Sequence, residues 1–278
     1  MNRSRKTPNI KVLMYHRLSK EKPEKLGDLH VVHVDDFRRQ LRLIEALNFM
    51  PITFEDYLLY REGKLTLPKK PIILTFDDGH LDTFELALPI LKEFDMRAVI
   101  FVLGNRKQRY AHWENKHDET NYPLMEDQHI IEAREDGFEI GAHSMTHADL
   151  SKLGQKAMQR EIKGSKESIE SLLGESIVSF AYPFGGVARN VISITQQAGF
   201  KYGCGVYTGP PNFGDDNFDI RRLAITSKTN TAAFLMRLLT PYEYVEWFYG
   251  KMKHKYVSID NEPELNTPAV NYERTLRR

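Results

Sequence analysis

Short apolar, β-branched runs alternate along this chain with longer stretches of helical period. Seven runs read as strands: KVLMYH from Lys11, PIILTFD from Pro71, AVIFVL from Ala98, FEIGAH from Phe138, IVSFAYP from Ile177, YGCGVY from Tyr202 and DIRRLAI from Asp219. Between them lie helical patterns, among them VDDFRRQLRLIEAL from Val34, FEDYLLYREG from Phe54, LDTFELALPILKEF from Leu81, EDQHIIEARED from Glu126, MQREIKGSKESIESLL from Met158 and VARNVISITQQAG from Val187. Asp35 or Asp36 is placed to cap the first, and Gly199 to stop the last. Strands alternating with helices predict βα units and a parallel sheet. About seven strands in one unbroken series predict an α/β fold, a distorted (β/α) barrel. A doubly wound sheet is the alternative, but no G-x-G-x-x-G follows any strand. Repeats and low-complexity tracts are absent from the sequence.

Two regions break the rhythm. Residues 104–125 are polar and aromatic with no period, and they follow a strand, where the loops of an α/β barrel form its working face. The stretch TAAFLMRLLTPYEYVEWFYGKM from Thr231 is rich in aromatics. It reads as a closing helix of the core, or else as a contact for a membrane surface or lipid-linked substrate through residues 232–253. The expectation is one domain over 1–250 and a polar tail over 251–278.

Composition narrows the picture. The 278 residues are 41% hydrophobic, enough for one large domain or two small ones. With 39 basic and 38 acidic side chains the formal charge is +1, which calls for no nucleic-acid partner. Cys204 alone supports neither a disulfide framework nor a cysteine-rich zinc site. The basic start lacks an apolar signal core, and no stretch approaches the roughly 20 apolar residues of a spanning helix, so a cytoplasmic location is expected.

The chemistry gathers at strand ends. Asp77 and Asp78 end the second strand of the series, His143 and His147 follow the fourth, and YPFGG from Tyr182 follows the fifth. In a barrel these ends share one face. Two histidines four residues apart and one carboxylate make a three-ligand metal set with positions left open. That resolves why two like charges adjoin in TFDDG: one aspartate can ligate the ion while the other takes a proton from the metal-bound water. Taken singly, D-D-G is usually a turn and H-x-x-x-H usually incidental; their shared face is what joins them.

TFDDGH, HSMTH and YPFGG in this order resemble the polysaccharide deacetylase family, also called the NodB-homology or carbohydrate esterase 4 family. The resemblance runs from about Val12 to about Ile225 and points to the branch resembling poly-N-acetylglucosamine deacetylases. It implies a barrel of fewer than eight strands and metal-dependent hydrolysis of N-acetyl groups on N-acetylated sugars. Residue by residue, it implies Asp77 as general base and Asp78, His143 and His147 as metal ligands. Tyr182, Pro183, Phe184 and Gly185 would form the substrate groove, with the Phe184 amide on the oxyanion. Leu223 would line the acetyl-methyl pocket. The ion would be Zn2+, with Co2+, Ni2+, Fe2+ or Mn2+ as alternatives.

Two departures stand out. Ala181 occupies the position where the family usually has the arginine that orients the base. LAIT, Leu223 to Thr226, lacks the usual acid histidine. His16, at the end of the first strand, is the expected replacement acid. Arg222, or else Arg17, is the expected replacement guanidinium; Arg222 could equally pair with Asp215, Asp216 or Asp219. His80 is read as lining the groove and not as a ligand. His112, Trp113, His117 and Tyr122 are read as sugar-stacking or lid residues, and His30, His33 and His129 as structural. The expected substrate is an N-acetylated poly- or oligosaccharide or lipid-linked sugar. The alternatives are a catalytically silent sugar-binding protein, an amidase or deformylase acting on another C–N bond, and a purely structural protein.

Overall fold

A computed structural model describes residues 10–22, 29–114, 122–206 and 212–242. The elements run β1 (Lys11–Tyr15), β2 (Arg17–Ser19), β3 (Val31–His33), α1 (Val34–Ala46), β4 (Met50–Pro51), α2 (Phe54–Arg61), β5 (Pro71–Phe76), α3 (Leu88–Glu93), β6 (Val99–Val102), α4 (Asp127–Glu135), β7 (Glu139–Ala142), α5 (Gln155–Leu173), β8 (Ser179–Ala181), α6 (Arg189–Gln197), β9 (Tyr202–Cys204), β10 (Leu223–Ala224) and α7 (Thr231–Leu239). All seven strand runs and all six quoted helical patterns read from the sequence therefore form.

The seven strands make one curled parallel sheet in the order β10-β1-β5-β6-β7-β8-β9, with β4 pairing to β5 at the side. The seam is stitched: Ile220 bridges to Cys204 of β9, and Leu223 then pairs with Leu13 of β1. The register keeps the strand ends level, with Tyr15 beside Phe76 and Ala181 beside Cys204. His16 and Asp77, each one residue further on, thus share a rim.

Side chains alternate across each strand. Leu13, Tyr15, Leu74, Phe76, Ile100 and Val102 pack outward with helix residues such as Phe37, Leu41 and Ile162. Val12, Ile73, Val99, Phe101, Ala181 and Cys204 pack inward, where Phe54 and Tyr57 of α2 join them. Helix α2 thereby closes the floor of the barrel, leaving the opposite mouth for chemistry.

The helix ends follow their sequence signals with one correction. His33, not Asp35 or Asp36, caps α1: its ring accepts from the Asp35 amide at 3.2 Å, and both aspartates lie in the first turn, where the helix dipole favours them. Gly199 sits just past the end of α6 in a left-handed conformation, as expected. Helix α7 buries Phe234 and Leu238 and so closes the core, while Met236 and Leu239 stay exposed. Residues 243–250 of the aromatic stretch, the 251–278 tail and His117 lie outside the described residues. Among the described residues, no helix is long and apolar enough to cross a membrane.

Candidate metal centre and active site

Three turns at the mouth carry the site. The first follows β5, where the Asp77 amide is tied to Tyr15 O at 3.0 Å and Asp78 adopts a left-handed backbone. The second is HSMTH, a tight turn. Its Met145 and Thr146 amides donate to Glu161 of α5 at 3.0 and 2.9 Å, and the His147 amide donates to Ser144 Oγ at 3.0 Å. The third is a short 3-10 turn over Pro183–Gly185. Six described non-glycine residues have positive φ, and four of them, Asp78, Ser144, His147 and Phe184, belong to these turns. Backbone strain concentrated this way is the mark of a working site.

The turns bring Asp78, His143 and His147 together. Asp78 Oδ1 lies 3.2 Å from His143 Nε2 and 3.1 Å from His147 Nε2. Donor atoms about 2.0–2.1 Å from one tetrahedral ion stand about 3.3 Å apart. The buried Asp78 Oδ1 nevertheless makes no hydrogen bond. Two imidazole nitrogens crowd this one oxygen, the arrangement of ligands converging on a common point. The residues therefore fit a divalent ion. His143 is oriented from behind by its Nδ1, 2.8 Å from Ala181 O.

Asp77 is held differently. Arg222 Nη1 and Nη2 donate to its two oxygens at 2.6 and 2.7 Å, a bidentate pair between residues 145 positions apart. Arg222 also donates from Nη1 to Thr75 Oγ1 at 3.1 Å and from Nε to Gly205 O at 2.7 Å, and it lies over the Phe101 ring. Gly205 follows Cys204, the strand partner of Ala181. The guanidinium therefore reaches Asp77 from the residue just before β10, and Ala181, on β8, brings no charge of its own. Arg17 is engaged elsewhere, with Asp82 at 3.1 Å, and Asp219 is paired by Arg221.

A family match completes this geometry. The family model described as polysaccharide deacetylase matches residues 64–203, half of the chain. The chain belongs to the polysaccharide deacetylase family. It is 24% identical over 237 residues to the poly-β-1,6-N-acetyl-D-glucosamine N-deacetylase of Staphylococcus epidermidis, covering 77% of this chain and 78% of that protein. Among solved structures it resembles the Streptococcus pyogenes deacetylase PplD in complex with acetate, with a TM-score of 0.70 and 23% identity over 82% of this chain and 97% of that one. IcaB from Ammonifex degensii superposes with a TM-score of 0.66 and 20% identity over 80% and 94%. These likenesses establish the deacetylase fold.

Within this family member the electrostatics separate the two aspartates. Burial raises the Asp77 carboxyl, but Arg222, with His143 and His16, outweighs it and holds the group below its usual range. Burial acts likewise on Asp78, and the imidazoles of His147, His143 and His80 hold it lower still. His16 is half-buried, with its Nδ1 enclosed, beside His30 at a ring-centroid distance of 4.7 Å. Burial, reinforced by His30, pushes its imidazole down to about 4 against the pull of Asp78, Asp77 and Glu114. It is therefore neutral at pH 7, and its Nδ1 has no hydrogen-bond partner.

Two expected substrate contacts face the wrong way. Tyr182 points outward into the helix-side layer, where its hydroxyl donates to Phe218 O at 3.0 Å; strand alternation puts Ala181 inside and Tyr182 outside. By the same alternation Leu223, next to the inward Arg222, packs in the helix-side layer and not at the mouth. Pro183 and Gly185 are buried in the third turn, while Phe184 is 50% exposed at the rim with its ring edge-on to His147, 4.7 Å away. His33 and His129 are structural, both serving helix caps. Glu114 is the site neighbour that sequence reading passed over, while His80, read as lining the groove, and His30, read as structural, also stand beside the site. His80 Nε2 lies 3.2 Å from Asp78 Oδ2 and 3.6 Å from Glu114 Oε1. The one available signal was the position of His80 two residues after Asp78.

Proposed function

We propose that this chain hydrolyses the N-acetyl group of an N-acetylated amino sugar, with Asp77 as general base, His16 as general acid, and Asp78, His143 and His147 holding a divalent ion. The observation that carries this reading is the convergence of the three-ligand cluster with the Arg222-bound Asp77 on one rim of a deacetylase-family barrel. When bound, the ion supplies Lewis-acid polarisation of the amide and lowers the pKa of water, so that a weakly basic carboxylate suffices. Zinc suits two imidazoles and a carboxylate, and cobalt, nickel, iron and manganese are alternatives.

Asp77 takes a proton from the attacking water. Arg222 fixes its orientation and keeps it ionised at neutral pH. The Phe184 amide, at the rim beside His147, contributes a hydrogen bond to the developing oxyanion, a type of contact worth about 3–4 kcal/mol. His16 starts neutral; it takes up a proton from solvent as negative charge develops on the tetrahedral oxyanion and passes it to the leaving amine, while Asp77 returns the water's proton to solvent, so the protons balance over the cycle. Acetate and a free amino sugar leave. The named substrate of the staphylococcal relative, poly-β-1,6-N-acetyl-D-glucosamine, is the first polymer to try here.

Acetate release from N-acetylglucosamine oligomers, measured after chelation and after adding zinc or cobalt, tests the reading. Metal-restored release is expected. Asp77→Asn is expected to abolish turnover with the ion still bound, and His16→Ala to lower kcat by about 10²–10⁴-fold. Activity surviving Asp77→Asn overturns the base assignment. Metal binding without release from any sugar shifts the reading to another amide substrate or to a silent sugar binder.

A further inference from the structure

The two histidine ligands are braced unequally. His143 has a hydrogen-bonded outer partner in Ala181 O, as ligating histidines usually do. His147 has none: its Nδ1 is buried and makes no hydrogen bond. Its ring is instead held between aromatic faces. Trp113 stacks on it with centroids 3.9 Å apart and planes 15° apart, and Phe184 packs against it at 68°, with centroids 4.7 Å apart. The residue after Trp113 acts on the third ligand. Glu114 Oε1 lies 3.6 Å from His80 Nε2, which in turn is hydrogen-bonded to Asp78 Oδ2 at 3.2 Å. That bond occupies one carboxylate oxygen and leaves Oδ1 to face His143 and His147.

We propose that Trp113 and Glu114, consecutive in sequence, are positioning residues of the metal centre: Trp113 fixes the ring plane of His147 by stacking, and Glu114 fixes Asp78 through His80. The backbone around them is built for this. The Gly104 and Asn105 amides donate to Ser144 O and Met145 O at 2.8 and 2.9 Å, tying the start of the segment to the histidine turn. Leu81 N donates to Pro123 O and Met125 N to Gly79 O, each at 2.8 Å, tying its far end to the aspartate turn. Leu103, Ala111 and Leu124 form a small apolar base under Trp113. One loop thus straps together the two turns that carry the ligands.

A second cation on Asp78, His80 and Glu114 is the competing reading, since their donor atoms lie within 4.8 Å of one another. The hydrogen-bond geometry argues against it. His80 Nε2 aims at Asp78 Oδ2 as a donor does, whereas His143 Nε2 and His147 Nε2 crowd Asp78 Oδ1 without bonding to it.

The inference rests on the metal reading of the site, and the test separates the two. The full chain is titrated with zinc against a competing chelator, and with cobalt while its visible absorption is followed. Wild type is expected to bind one ion. Trp113→Ala and His80→Ala are expected to weaken binding by about tenfold or more and to alter the cobalt spectrum. Trp113→Phe, which keeps the stack, and His80→Gln, which keeps a donor, are expected to recover most of the affinity. Glu114→Gln is expected to weaken binding less than His80→Ala. Wild-type affinity and spectrum in both alanine variants would overturn this inference alone. Two ions in wild type, with one lost in His80→Ala, would overturn it in favour of the second site. No ion bound by wild type would overturn the metal reading, and this inference with it.

Discussion

The mouth and the floor of the barrel each bury a carboxylate, and their surroundings shift the two in opposite directions. Asp77 at the mouth meets a guanidinium on both oxygens, and Arg222 holds it ionised against the pull of burial. Glu139, at the start of β7 on the floor, meets neutral donors: Ser179 Oγ at 2.6 Å, the Glu55 amide at 2.8 Å and the Thr53 side chain. The nearby Arg134 is engaged with Glu55 and Glu175. Burial, with Glu55 adding repulsion, pushes the Glu139 carboxyl up to about 7. Burial costs both groups; the charge of the partner decides whether the proton stays. The mouth holds a carboxylate paired to a cation, whereas the floor holds a carboxyl met by neutral hydrogen-bond donors.

The sharpest way to break this contrast is to remove the cation at the mouth. Arg222→Met leaves Asp77 buried and unpaired, and an expected loss of about 3–5 kcal/mol at neutral pH should appear in urea unfolding. The pH dependence sharpens it. The Asp77 carboxyl is depressed in the fold, so its contribution is present above the unfolded carboxylate pKa and is lost as pH falls through the folded value. Arg222→Met should flatten that acid limb; an unchanged limb would show that Asp77 does not depend on Arg222.

The floor carries the opposite sign. Glu139 titrates from 4.5 unfolded to about 7 folded. Between those values the folded chain keeps a proton that the unfolded chain releases, so this contribution is full below the lower value and is lost as pH rises through the window. Glu139→Gln keeps the shape and removes the titration. It should stabilise the protein at pH 8 by about 3 kcal/mol and leave pH 4 nearly unchanged, measured by thermal and urea unfolding. Equal stability at pH 8 would mean that Glu139 ionises in the fold at no cost.

The smallest effect separates backbone strain at the two ends. Outside the three site turns, left-handed non-glycine residues are Asn48 and Asp95, at helix ends and of types that tolerate it. At the mouth Ser144, His147 and Phe184 adopt the same region without that excuse. Phe184→Gly should gain about 1 kcal/mol in stability while losing the aromatic edge beside His147. A loss of stability instead would show that the ring contact outweighs the strain.

Much of this was legible in the chain. The strand and helix series follows from apolar periodicity, which is local and survives without knowledge of neighbours. The meeting of Asp78, His143 and His147 was legible because they sit at strand ends, and a parallel barrel sends all such ends to one rim. Tyr182 and Leu223 were misassigned although strand alternation, a local rule, assigns each to the outer layer. Other features had no local trace. Arg222 was read ahead of Arg17 with its aspartate partner left open, and tertiary structure brings it to Asp77 across 145 positions and spends Arg17 on Asp82. His80 and Glu114 are brought together by a loop crossing between turns, and His30 meets His16 across a segment with no pattern. The sequence by itself determined the layers and the rim, because hydrophobic period and chain direction are properties of each segment. Only the tertiary structure decided which charged and aromatic side chains meet there, because hydrogen bonds and ring stacking depend on distances that no segment carries alone.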